Sequence, residues 1–214
     1  MFNMHIISCP DNYSLVDQAY QWLRRSVEAN EITSFYIPAG STPTALYQKL
    51  EQENPDFMNG LKLIQIDDLL EGAKKELFKH YFQQQLPSYQ KQISYIGSHP
   101  EQAEGAILGL GLNGHVAFHE PGIPKSFSFG TVELSGKTKE SLGLEPETKG
   151  QSYGIGSFLN CKKILMIVSG TGKQSAFEKM LRNDQSIPAA LLNQHPDFTV
   201  IYNSQDVQPP TNFS

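Results

Sequence analysis

The sequence predicts a doubly wound α/β fold: a mostly parallel, open, Rossmann-like sheet with helices on both faces. Three observations point there. Apolar runs of strand length alternate with stretches of helical spacing along the chain. The strongest runs, AILGL at 106–110 and ILMIV at 164–168, are apolar without alternation, as in strands covered on both faces. Several strands pass directly into a turn built from Gly, Ser or Thr and then into a helix, which is where such sheets place their chemistry. The 214 residues are enough for one sizeable core, so 1–214 reads as a single domain with 204–214 as a loose tail.

The elements follow in order. Residues 4–8 form a short apolar strand, and 11–30 have helical spacing with Leu15, Ala19, Trp22, Leu23 and Val27 on one face and Asp11 or Asn12 available as a cap. Strand 34–37 runs into Gly40-Ser41-Thr42-Pro43 and a helix over about 44–53; strand 61–66 then ends in Asp67-Asp68. A helix at 74–85, a short strand at 93–96 and the central strand 106–110 come next. The Ser-, Gly-, Lys- and Glu-rich stretch 123–150 reads mostly as loop. Strand 164–168 enters Ser169-Gly170-Thr171-Gly172-Lys173 and a helix to about 182; a helical turn at 188–192 and a strand at 198–202 follow.

Composition removes several function classes. Lys and Arg number 17 against 22 Asp and Glu, a net charge of −5, and they are scattered, so no nucleic-acid surface is expected. Cys9 and Cys161 are the two cysteines, without C-x-x-C spacing, which supports neither a disulfide scaffold nor a zinc finger. No apolar run is long enough for a membrane span, and MFNMHIISCP reads as a strand and not as a signal peptide. A cytoplasmic location is the expectation.

Four places carry candidate chemistry. Gly40, Ser41 and Thr42 open a helix with hydroxyls and outward N–H groups, which suits a phosphate; a plain capped helix start explains the same residues. Lys173 stands at a helix N-terminus, where the helix dipole disfavours a cation, and this points to a bound anion; an exposed lysine is the alternative. The run resembles half of a P-loop, but Gln174 follows Gly172-Lys173. Asp67, beside Asp68 at a strand end, is a candidate general base; a turn or cap pair is the bland reading. Finally, the turn after 106–110 holds Gly109, Gly111 and Gly114, then His115, His119 and Glu120. An imidazole with a nearby carboxylate suits proton transfer. No zinc-ligand spacing accompanies it, so no metal is expected.

Taken in order, PAGSTPTALYQKL, IQIDDLL, LGLGLNGHVAFHEPG, SGTGKQSAFEKML and IPAALLNQHPDFTVI resemble the motifs of the glucosamine-6-phosphate deaminase/isomerase family, whose sugar-phosphate relatives include 6-phosphogluconolactonases. The resemblance covers about 33–203, and GHVAFHEP is closer to the deaminase branch. It implies a sugar-phosphate substrate and an aldose–ketose isomerisation with loss of ammonia, a net hydrolysis needing no cofactor. In it Asp67 shuttles a proton between C1 and C2, His115 assists ring opening, Glu120 supports His115, and Gly40, Ser41, Thr42 and Lys173 hold the phosphate. Two departures stand out. Asn113 replaces the family acid two residues before the histidine, and no arginine is found in 131–144 to engage the phosphate, leaving Lys137 or Lys139 as substitutes. A divergent deaminase, for galactosamine 6-phosphate for example, is the leading expectation. A lactonase, with His115 activating water, and a non-catalytic sugar-phosphate sensor are the alternatives.

Overall fold

The computed structural model describes residues 4–29 and 32–211. They form β1 (Met4–Cys9), α1 (Asn12–Glu28), β2 (Ser34–Ile37), α2 (Ser41–Glu53), β3 (Lys62–Gln65), β4 (Asp67–Leu69), α3 (Leu77–Gln85), β5 (Ile93–Ser94), β6 (Gly105–Gly109), β7 (Phe129–Glu133), α4 (Gly136–Leu142), β8 (Lys149–Tyr153), α5 (Ile155–Phe158), β9 (Lys163–Val168), α6 (Gln174–Leu181), α7 (Pro188–Leu191) and β10 (Phe198–Asn203). Seven of these strands make one parallel sheet in the order β1-β10-β9-β6-β2-β3-β5, with β6 at its centre. The α/β class and parallel sheet read from the sequence are the observed ones.

Successive strand residues point to opposite sides, and each side has its own helical layer. Phe35, Ile37, Leu63, Ile107, Leu165 and Ile167 pack with Leu15, Leu23, Leu46, Leu50 and Phe82 from α1, α2 and α3. Their neighbours Tyr36, Ile64, Ala106, Leu108, Ile164 and Met166 pack with Phe158, Phe177, Met180 and Ala189 from α5, α6 and α7. Asp11 caps α1, its Oδ1 accepting from the Ser14 N–H at 2.7 Å. That helix ends at Glu28, and its expected end, Asn30, lies outside the described residues.

The stretch 123–150 is not mostly loop. It supplies β7, α4 and the start of β8, and β8 pairs antiparallel with both β7 and β4 in a second, three-stranded sheet. Asp67 and Asp68 therefore begin a strand instead of ending in a turn. The sequence hides this because FGTVE and KGQSY are short and polar; pairing and a small core of Leu69, Phe118, Val132 and Leu134 make them strands. Helix α4 has a local cause as well: Ser135 Oγ accepts from the Thr138 N–H at 3.2 Å, and Gly143 ends the helix with φ 58°. Helix α3 begins at Leu77 and not at 74, because Glu76 is left-handed at φ 58°.

The stretch after β10, expected to fray from 204, is anchored as far as Gln208. Val207 is buried at 1 % exposure in the α5–α7 layer, Asp206 Oδ2 accepts from the Gly170 N–H at 2.7 Å, and Gln208 N–H donates to Gln174 Oε1 at 2.8 Å. A single valine in a polar run gives no periodicity to reveal such a contact. Residues 212–214 of the expected tail lie outside the described residues. Val207→Ala is expected to lower unfolding free energy by about 2 kcal/mol, as for a core truncation. Urea denaturation measures this; a loose tail would give no change.

Candidate active site

The turns that leave β2, β6 and β9 meet around a cleft of about 240 Å³, whose lining includes Ser41, Thr42, Asp67, Asn113, His115 and Lys173. Parallel strands put all three turns at one edge of the sheet. Their contact is close: a Cβ on Gly109 would lie 3.9 Å from Thr42, and one on Gly172 3.3 Å from Leu112.

Gly40 precedes α2 with φ 101°, a conformation that favours glycine, and no side chain caps the helix. The first N–H groups of α2 thus lack an intrahelical acceptor and carry the positive end of the helix dipole. The turn is braced from behind. Thr44 Oγ1 and Tyr81 Oη both donate to the Gly40 carbonyl at 2.9 Å, and Tyr47 Oη donates to Pro38 O at 2.7 Å. Lys173 reaches across from the β9 turn, its Nζ donating to Thr42 Oγ1 at 3.1 Å. Among the described residues no carboxylate lies within ion-pair distance of it. Burial pulls the Lys173 pKa down, opposed by the more distant charge of Asp206. An uncapped helix start and a desolvated, unpaired ammonium together make a site for an anion.

At the centre of the sheet, Asn113 links His115 to Glu120. Asn113 Nδ2 donates to Glu120 Oε2 at 2.8 Å, which fixes the amide so that Oδ1 faces His115. That oxygen lies 2.7 Å from His115 Nδ1 and also accepts the His115 backbone N–H at 3.1 Å. An acceptor at Nδ1 places the proton of the neutral ring there, leaving the Nε2 lone pair for the cleft. Glu120 Oε2 stands 3.8 Å from Nδ1, so its charge acts over a distance while the amide makes the bond. Burial lowers the His115 pKa; the Glu120 charge opposes this and Lys173 adds to it.

Glu120 itself is 5 % exposed. Burial would raise its pKa, but donors from Thr138 and Asn113, the His115 charge and Ser135 outweigh that and bring it down. Thr138 Oγ1 makes a short hydrogen bond to Oε1, so the carboxylate also ties α4 to the site. Two glycines are steric necessities here. A Cβ on Gly111 would sit 2.3 Å from His115 Nε2, and one on Gly114, at φ +86°, 2.6 Å from Ile187.

Asp67 and Asp68 are adjacent on β4 and face opposite ways. Asp67 is 6 % exposed and lines the cleft, and among the described residues nothing donates to its carboxylate. Burial, then the neighbouring Asp68, raises its pKa well above the usual carboxylate range. Asp68 lies behind the strand, where its carboxylate accepts from Gln65 Nε2 at 2.8 Å and from the N–H groups of Leu69, Phe78 and Lys79 at 2.8, 3.0 and 2.9 Å. It pins the start of α3 and does not reach the cleft.

His119, weighed above beside His115 and Glu120 as a metal ligand, is a fully buried tie instead. Its Nε2 bonds the Ile123 carbonyl at 3.1 Å and its Nδ1 accepts the Ile155 N–H at 3.1 Å. Sequence reasoning missed Phe78, Phe118, Ser141 and Leu142 as cleft walls and Thr138 as the Glu120 partner. The Ser135-x-x-Thr138 cap spacing was the available signal for the last.

No protein-family model matches the chain. Two curated glucosamine-6-phosphate deaminases are similar to it: that of Listeria monocytogenes at 26% identity, covering 94% of this chain and 98% of the relative, and that of Shouchella clausii at 27%, covering 92% and 94%. Among solved structures, a monomeric glucosamine-6-phosphate deaminase of the NagB superfamily superposes with TM-score 0.79 at 20% identity, covering 95% of this chain and 98% of the other. A 6-phosphogluconolactonase from Thermotoga maritima gives TM-score 0.72 at 18% identity, covering 94% and 99%. The family resemblance read from the motifs thus holds over nearly the whole chain, and the fold is that of both groups.

Two measurements probe the site without substrate. Asn113→Asp places a second carboxylate beside the imidazole and is expected to raise the His115 pKa, read by NMR titration. For His119, burial lowers the pKa, opposed by the Ile123 hydrogen bond and the Glu120 charge. The unfolded chain therefore binds its proton first, and stability is lost as pH falls below the ordinary imidazole range. His119→Gln should flatten that part of the stability–pH curve, measured by thermal unfolding.

Proposed function

We propose that this chain is an amino-sugar-6-phosphate deaminase/isomerase, converting glucosamine or galactosamine 6-phosphate to the ketose 6-phosphate and ammonia. The observation that carries the reading is Asp67: a buried carboxyl without a donor, facing the same cleft as the neutral imidazole of His115 and an anion-seeking turn. The similarity to curated deaminases supports it.

The geometry supports a role for each residue. The N–H groups and hydroxyls of Ser41 and Thr42, the close approach allowed by Gly40, and Lys173 hold the phosphate and so fix the far end of the sugar. His115 Nε2 takes the proton of the anomeric hydroxyl and returns it to the ring oxygen, opening the ring. The transient imidazolium is steadied by Asn113 Oδ1 at Nδ1 and by the Glu120 charge beyond it. Asp67 as carboxylate removes the C2 proton and delivers it to C1. O1 takes a proton as the amino nitrogen gives one up, so the aldehyde becomes a C1 alcohol and C2 an imine, which water hydrolyses to the ketone with release of ammonia. Every step is a proton transfer or water addition on a positioned substrate, and no cofactor is invoked.

Asn113 changes one term of this scheme. An amide fixes the tautomer but brings no charge, so imidazolium is less stabilised than beside a second carboxylate. A second reading, hydrolysis of a sugar-phosphate lactone with His115 activating water, draws support from the fold shared with lactonases. Asp67 has no proton to move in that reaction.

Ammonia release from glucosamine 6-phosphate and galactosamine 6-phosphate, assayed separately, tests the proposal and names the epimer. Asp67→Asn should cut kcat about 10²–10⁴-fold while leaving KM near the native value, since general-base loss costs on that order. Lactone hydrolysis unaffected by Asp67→Asn, with no ammonia from either amino sugar, would favour the second reading. The raised Asp67 pKa of the free protein also sets a direction for pH: the base is lost by protonation, so the acid limb of kcat/KM should lie above the usual carboxylate range and vanish in Asp67→Asn.

A further inference from the structure

We infer that Lys137, on α4, is the second cation of the anion site. This rests on the sugar-phosphate reading and adds a contact to it. Helix α4 closes one side of the cleft, where Lys137, Thr138, Ser141 and Leu142 line it together with Ser41, Thr42 and Lys173. Lys137 and Ser141 are four residues apart and share one helical face, so the cleft-facing side of α4 is set by the helix repeat.

The other lysines around α4 are committed. Lys139 Nζ donates to the Pro146 carbonyl and Lys74 Nζ to the Leu142 carbonyl, both in short hydrogen bonds. Lys137 is exposed, and among the described residues it makes neither an ion pair nor a hydrogen bond. Charge counting gives it work. A phosphate monoester carries about two negative charges near neutral pH. Lys173 supplies one positive charge and the start of α2 about half of another, on the usual estimate of the helix dipole. A further cation is needed for balance, and Lys137 has a flexible four-carbon stem with three donors to provide it. Its helix neighbour Thr138 holds Glu120, so the anion contact and the support of the imidazole sit on one rigid turn of helix.

Binding of inorganic phosphate, and of glucosamine 6-phosphate against glucosamine, is measured by calorimetry at fixed ionic strength. Lys137→Gln should weaken both phosphate ligands about tenfold, the size expected for one charge-assisted contact. Lys137→Arg should restore most of the affinity, and Lys139→Gln should leave it unchanged. Phosphate affinity unaltered by Lys137→Gln but lost in Lys173→Ala would overturn the inference while leaving the anion site in place. Equal weakening by Lys139→Gln would also overturn it, by reducing the effect to net charge. Failure of the native protein to bind any phosphate would instead remove the sugar-phosphate reading itself.

Discussion

The site depends on keeping one buried carboxylate ionised. Glu120 is almost out of water, where a carboxyl is ordinarily driven to its neutral form. Donors from Asn113, Thr138 and Ser135 reverse that preference. The consequences spread in two directions. Toward the sheet, the charge orients the Asn113 amide, which selects the tautomer of His115. On the other side, it holds the N-terminal turn of α4 against the cleft. A protonated Glu120 would give up its claim on an amide N–H and leave Asn113 free to turn over, so imidazole chemistry and the position of α4 share one electrostatic condition.

The same edge of the sheet carries groups that do not favour the folded state on their own. An ammonium is desolvated without a counter-charge, a helix starts without a cap, and a carboxyl lies in low dielectric without a donor. Each is a local loss that the packed layers on both faces of the sheet offset. Bracing from behind, through Tyr47, Tyr81 and Thr44, shows where rigidity is spent: the turn is held in shape without being neutralised. Such a turn favours any species that brings the missing negative charge.

Much of the parallel sheet was legible because its strands are buried on both faces and read as apolar runs. The turns at their ends were legible because Gly40, Gly111 and Gly114 answer to backbone or steric needs that a sequence displays. The second sheet was not. Its strands β7 and β8 are polar, and what makes them strands is pairing: β8 with Asp67–Leu69, Ser152 lying 85 residues from its partner Asp67, and β7 with β8. Of the reading of Asp67-Asp68 as a turn or cap pair, the turn fails for the same reason, while Asp68 does cap the start of α3. Pleating then separates two identical side chains, one toward the cleft and one into four hydrogen bonds, two of them with the start of α3. His119 looked like its neighbour His115 in sequence; only the carbonyl of Ile123 and the N–H of Ile155 distinguish its role. Val207 shows the limit of composition at the other extreme, a lone apolar residue fastening a polar stretch.

The edge of the large sheet sets an order of assembly. Strand β1 has β10 as its ladder partner, Met4 opposite Phe198 through Cys9 opposite Asn203. Strand β1 therefore waits for a partner 194 residues downstream before its backbone can pair. The central β6, likewise, meets β9 from more than 50 residues downstream. Local helices form early at small entropic cost, while closure of the longest loop comes late. Until then β1 is unpaired along both edges, where the finished sheet leaves open only its outer one, and the newly made chain is the more exposed to aggregation.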